Sequence, residues 1–257
     1  MKNPLPPAWL WPNRLSLDAP LIAVVWQDFL SRTYSIALSP SERVTLGLSV
    51  WVIYLADRFL DIRAAGAVPN SPAHIFQGQR RHLTISILGV ALLADLFIAW
   101  AWLPRELLLA GFVLCTVVMA YLWVFSHYRP GSTYKTLAAS ALFTAGVFAA
   151  PWARMPVGPR HDGLPCLAFV LLCFANLQVL VRGRVVCVLP WLGVLALLGS
   201  AVVDSRITNW YLAISASALA LFVVSRLEGR VSRSVWRSLV DMTLLTPILA
   251  TYLPNFR

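Results

Sequence analysis

Asp57 and Asp61 stand four residues apart in Ile53-Tyr-Leu-Ala-Asp-Arg-Phe-Leu-Asp-Ile-Arg63, where an apolar run that begins near Val44 gives out. On a helix the two carboxylates share a face, and like charges at that spacing repel. The C-terminal end of a helix also disfavours negative charge. A divalent cation between them resolves both conflicts, so the chemistry this spacing predicts is metal binding. Magnesium takes one or two carboxylates together with waters and substrate phosphates. With Arg58 beside the pair and a basic stretch after it, the pattern suits a diphosphate held through Mg²⁺, whose charge stabilises that group as it leaves. The competing reading pairs Asp57 and Asp61 with Arg58, Arg63 or a neighbouring helix. A bare DxxxD is unspecific; its position at a helix end sharpens it.

The elements that must hold these residues follow from composition. The chain has 257 residues, 59% of them hydrophobic and only 12% charged, about half the charge of a soluble domain. Apolar runs of some twenty residues recur from end to end, each long enough to cross a bilayer core of about 30 Å. Breaks at charged, Pro and Gly positions divide them into nine candidate spans near 20–38, 44–61, 83–103, 107–125, 136–152, 164–181, 185–203, 208–225 and 238–254. The expected fold is therefore all-α: a polytopic membrane protein in one helical domain covering 1–257. Residues 1–19, with Pro4, Pro6, Pro7 and Pro12 around Trp9 and Trp11, form an interfacial lead-in.

Nine spans place the termini on opposite sides. Of the 21 Lys and Arg residues, fourteen then fall on the amino-terminal side, which puts the amino terminus, Asp57 and Asp61 in the cytoplasm. The net charge of +10 sits in loops between apolar runs rather than along one soluble face. That distribution fits anionic lipid headgroups and argues against nucleic acid. The four cysteines (Cys115, Cys166, Cys173, Cys187) lie in or beside apolar runs without a CxxC pair, and read as small apolar fillers.

Two basic loops on the same side as Asp57 invite either of two roles. One runs from Ile62 to His82 with Arg63, Arg80 and Arg81; the other runs from Arg226 to Arg237. Topology and headgroup contact is one role. The other is phosphate recognition, for which the guanidinium fork is suited. Tyr128, Arg129, Tyr134 and Lys135 form a further group, either an interfacial anchor or, through Lys135, a point charge for a diphosphate. Ionisable residues inside spans are costly and face the bundle interior. Asp28 and Arg32 have the spacing of a self-neutralising pair, as do Arg237 and Asp241, while Asp95 has no partner within its own helix.

Tyr54-Leu-Ala-Asp-Arg-Phe-Leu-Asp61 resembles the second half of the first aspartate-rich motif, N-D-x-x-D-x-x-x-D, of the UbiA-type intramembrane prenyltransferases. In that family the motif lies at the cytoplasmic end of the second of nine helices, which matches the layout here. The resemblance implies Mg²⁺-dependent transfer of a prenyl group from an isoprenoid diphosphate to an acceptor. Asp57 and Asp61 would be catalytic metal ligands, and Arg80, Arg81, Lys135, Asn176, Arg182 and Arg184 would contact the substrate. Ile53 and Tyr54 stand where the family has Asn and Asp. At the end of span six, where a second acidic motif is expected, the chain reads Phe174-Ala-Asn-Leu-Gln-Val-Leu-Val-Arg-Gly-Arg184 without a carboxylate. The other expectation is accordingly a non-catalytic membrane protein of the same fold that binds a lipid or assembles with partners.

Overall fold

The computed structural model describes residues 15–65, 81–128, 132–155, 163–182 and 205–250; side chains at 61–65, 81, 132, 182, 205–207 and 249–250 are not among those described. Every regular element in this set is helical. In chain order they are α1 (Asp18–Thr33), α2 (Pro40–Ala65), α3 (Arg81–Trp102), α4 (Arg105–His127), α5 (Ser132–Arg154), α6 (Leu164–Arg182), α7 (Ser205–Ser225) and α8 (Arg233–Met242). A 3₁₀ turn (Thr243–Leu245) then leads into the short α9 (Thr246–Ala250).

Among the described residues, five helical stretches are long and apolar enough to cross a membrane. They are His82–Trp102, Arg105–His127, Thr133–Arg154, Leu164–Val181 and Thr208–Ser225, within α3 to α7. The other expected spans differ, each for a physical reason. α1 has 16 residues, about 24 Å at 1.5 Å per residue, short of the hydrocarbon thickness. α2 has 26 residues but carries Glu42, Arg43, Asp57, Arg58, Asp61 and Arg63. The last run is interrupted after Met242, because Pro247 has no N–H to return to the preceding turn. The run at 185–203, with Cys187, lies outside the described residues.

The exterior is what a bilayer demands. α3 exposes Leu93, Leu96 and Phe97, and α4 exposes Leu109, Phe112 and Val113. Exposed Trp100 and Trp102 mark one end of this pair, and exposed Trp123 and Tyr128, joined by Tyr134 of α5, mark the other. Apolar flanks between two aromatic belts are a membrane signature. Cys115, Cys166 and Cys173 are free thiols.

α1 sits at the centre, packed by α2, α5, α7 and α8. Its Trp26 and Phe29 meet Phe148 of α5, Phe169 of α6 and Trp210 of α7 in one aromatic cluster. The Trp26 ring lies 4.7 Å from Phe169 and 5.0 Å from Trp210, centroid to centroid. Trp26 Nε1 donates to the Leu244 carbonyl at 2.7 Å, which fixes the carboxyl-terminal segment against α1.

Short-range signals end α1 and begin α2. Ile36 N–H donates to Ser31 O (2.7 Å) and Ser35 N–H to Arg32 O (3.0 Å), the two bonds of a Schellman cap. Ser35 occupies the left-handed position at φ 54°, where glycine is strain-free. Ser35→Gly is expected to stabilise the protein by about 1 kcal/mol, read as a higher thermal midpoint in detergent; an unchanged or lower midpoint contradicts this. Ser39 and Glu42 then form a capping box around Pro40. Glu42 N–H donates to Ser39 Oγ (3.3 Å) and Ser39 N–H to Glu42 Oε2 (2.6 Å).

One expected pair is corrected. Asp28 bonds not to Arg32 but to Arg43 on α2, with Nε to Oδ1 at 2.6 Å. Arg32 is exposed in the last turn of α1, so crossing to α2 replaces a helix-surface contact with a tie between helices.

Candidate functional site

α2 places successive residues on different sides of itself, and two polar groups result. Asp57 turns toward α4 and α5. Lys135, in the first turn of α5, meets it with Nζ 3.1 Å from Oδ1. The Tyr121 hydroxyl on α4 donates to the same oxygen at 3.4 Å. Both members of the ion pair are about three-quarters buried, so the charge is only partly screened by solvent. Asp61 follows one turn later on the same face of α2, its side chain outside the described residues.

Arg58 turns the other way, toward α1 and α8. It is 7% exposed. Nη1 donates to Ser16 Oγ at 3.1 Å, Nη2 donates to the Tyr54 hydroxyl, and the guanidinium carbon lies 4.2 Å from the Tyr54 ring centre. Asp18 at the start of α1 and Asp241 near the end of α8 are neighbouring carboxyls, with Arg58 and Arg237 as the nearby cations. Ser16, buried at φ 59°, is held in the left-handed region beside this cluster.

The remaining expected residues separate. Asn176 is buried, and its amide donates to the Val240 carbonyl of α8 at 3.0 Å. Gln178 donates to Thr136 Oγ1 of α5 at 2.7 Å. Arg81 begins α3 and Arg182 ends α6, with side chains outside the described residues, as are Arg80 and Arg184 altogether. The structure thus brings Asp57 and Lys135 together, and ties α6 to α5 and α8 just beside them. Sequence reasoning did not find Ser16, Asp18 or Tyr121. Asp18 carries only the ordinary signal of an acidic residue in a first helical turn.

For a divalent cation, no cluster of three His, Cys, Asp or Glu side chains exists among the described residues. A cage made of protein alone does not fit them. Asp57 is already paired with Lys135, and the Asp61 side chain lies outside the described residues.

No family model, curated protein or solved structure matches this chain.

Proposed function

We propose that this protein is a membrane-embedded prenyltransferase of the UbiA type, acting on an isoprenoid diphosphate. The supporting observation is the meeting of Asp57, Lys135 and Tyr121 from three helices at one end of the bundle. In the reaction the bond between the prenyl C1 and the diphosphate oxygen breaks, and its electron pair leaves with the diphosphate. A nucleophilic atom of the acceptor bonds to C1 and gives up a proton. Lys135 holds Asp57 in place and offers a cation to phosphate oxygens. Tyr121 fixes the orientation of the Asp57 carboxylate. Mg²⁺, when bound at Asp57 and Asp61, supplies positive charge for the departing diphosphate. Arg80, Arg81, Arg182 and Arg184 extend the proposed phosphate contacts, while the buried Asn176 is engaged with the Val240 carbonyl and is not among them. The proposal keeps the cytoplasmic amino terminus and lays all nine apolar segments in the bilayer, the short α1 and the broken last segment included.

A second reading is a non-catalytic membrane protein of this layout. It is favoured by the use of the Asn176 and Gln178 amides to tie helices together, and by the neutralisation of Asp57 by Lys135. One assay separates the two: purified protein, Mg²⁺ and labelled prenyl diphosphates of several chain lengths. The enzyme reading expects Mg²⁺-dependent release of diphosphate, lowered on the order of 10²-fold by Asp57→Asn. Absence of turnover with every chain length, from a folded wild-type protein, selects the second reading.

A further inference from the structure

The seam between α2 and α3 holds a carboxyl that the proposed reaction does not use. Among its described side chains, α3 buries only Ala91 and Asp95, one turn apart on the face that packs on α2. Ser49 Oγ of α2 donates to Asp95 Oδ2 at 2.6 Å. Asp95 Oδ1 is equally buried, and no donor among the described residues reaches it. None of the described Lys, Arg or His side chains forms an ion pair with it. Leu92, Leu93, Leu96 and Phe97 on either side are exposed, so the seam borders the apolar exterior.

An ionised carboxylate there would keep a full charge at the edge of hydrocarbon with one hydrogen bond to support it. Such charges are costly and are retained where they do something. A neutral acid resolves the arrangement: one oxygen accepts from Ser49, and the carboxyl keeps its own hydrogen. We propose that Asp95 is a proton-binding site opening onto the lipid phase, carrying its proton while α3 rests on α2. This inference depends on α3 lying in the membrane and is independent of prenyl transfer.

The protonated acid has a specific reactivity toward a hydrophobic carbodiimide entering from lipid. Its O–H proton passes to one reagent nitrogen, and the carboxyl oxygen bonds to the central carbon. The resulting O-acylisourea rearranges to an N-acylurea of the same mass, with nothing leaving. The test uses the full chain in lipid nanodiscs, treated with dicyclohexylcarbodiimide and mapped by peptide mass spectrometry. The expected result is an adduct at Asp95 that declines as pH rises, is absent from Asp95→Asn, and is not reproduced by a water-soluble carbodiimide. An unmodified Asp95 across the pH range overturns the proposal, as does equal modification by the water-soluble reagent. The readout is taken on wild-type protein, so a variant that fails to fold does not blunt it. Loss of labelling and loss of diphosphate release are separate outcomes.

Discussion

Arg58→Ala is expected to destabilise the protein by about 3–5 kcal/mol, from the loss of two hydrogen bonds made by a buried charged group. Arg58 is nearly fully buried and joins three parts of the chain. It donates to Ser16 ahead of α1 and to Tyr54 on its own helix, and it faces the Asp18–Asp241 pair that connects α1 to α8. With the guanidinium gone, Arg237 alone balances two carboxyls, and Ser16 loses the donor that holds it in a left-handed conformation. Arg58→Lys keeps the charge but not the forked geometry, and is expected to fall between wild type and Arg58→Ala. Thermal or denaturant unfolding in detergent reads both. A loss below about 1 kcal/mol, the range of solvent-exposed pairs, would falsify the role of Arg58 as the clasp at this end.

Glu42→Ala is the corresponding change at the opposite end, with an expected loss of about 2–4 kcal/mol from a helix cap and two charge-assisted hydrogen bonds. One carboxylate oxygen accepts the Ser39 N–H at 2.6 Å and so caps α2. The other accepts from Arg154 of α5, Nε at 2.9 Å and Nη2 at 2.7 Å. The Glu42 side chain is wholly buried while that of Arg154 is 39% exposed. Arg154 can therefore turn to water when abandoned, which keeps the cost below that at Arg58. Arg154→Met leaves the cap geometry intact but strands a wholly buried carboxylate, and is expected to cost at least as much as Glu42→Ala, while Glu42→Gln retains an acceptor for the cap and loses the charge. If Arg154→Met proves much milder than Glu42→Ala, the ion pair contributes little and the cap carries the effect.

The sequence alone determined what kind of object this is. Apolar runs of bilayer length must satisfy their backbone groups internally, so they form helices, and α3 to α7 do. The Ser39-Pro-Ser-Glu42 cap and the aromatic belts are equally local, one set by bonds within four residues and the other by preference for the interface. Asp57 stood out because two carboxylates at i and i+4 share a helical face and repel, although α2 continues to Ala65, two turns beyond Asp57. Its partner did not: Lys135 lies on another helix, and only packing of α2 against α5 sets the 3.1 Å contact.

Tertiary structure decided every such pairing. A spacing of four identifies neighbours on one helix surface, which is why Asp28 and Arg32 looked self-sufficient. In the bundle a partner on a neighbouring helix competes with one on the same helix surface, and Asp28 goes to the half-buried Arg43 of α2. Asp18 and Asp241, separated by almost the whole chain, meet only because α8 folds back beside the start of α1. Local periodicity cannot encode that contact; it depends on where the ends of distant helices come to rest.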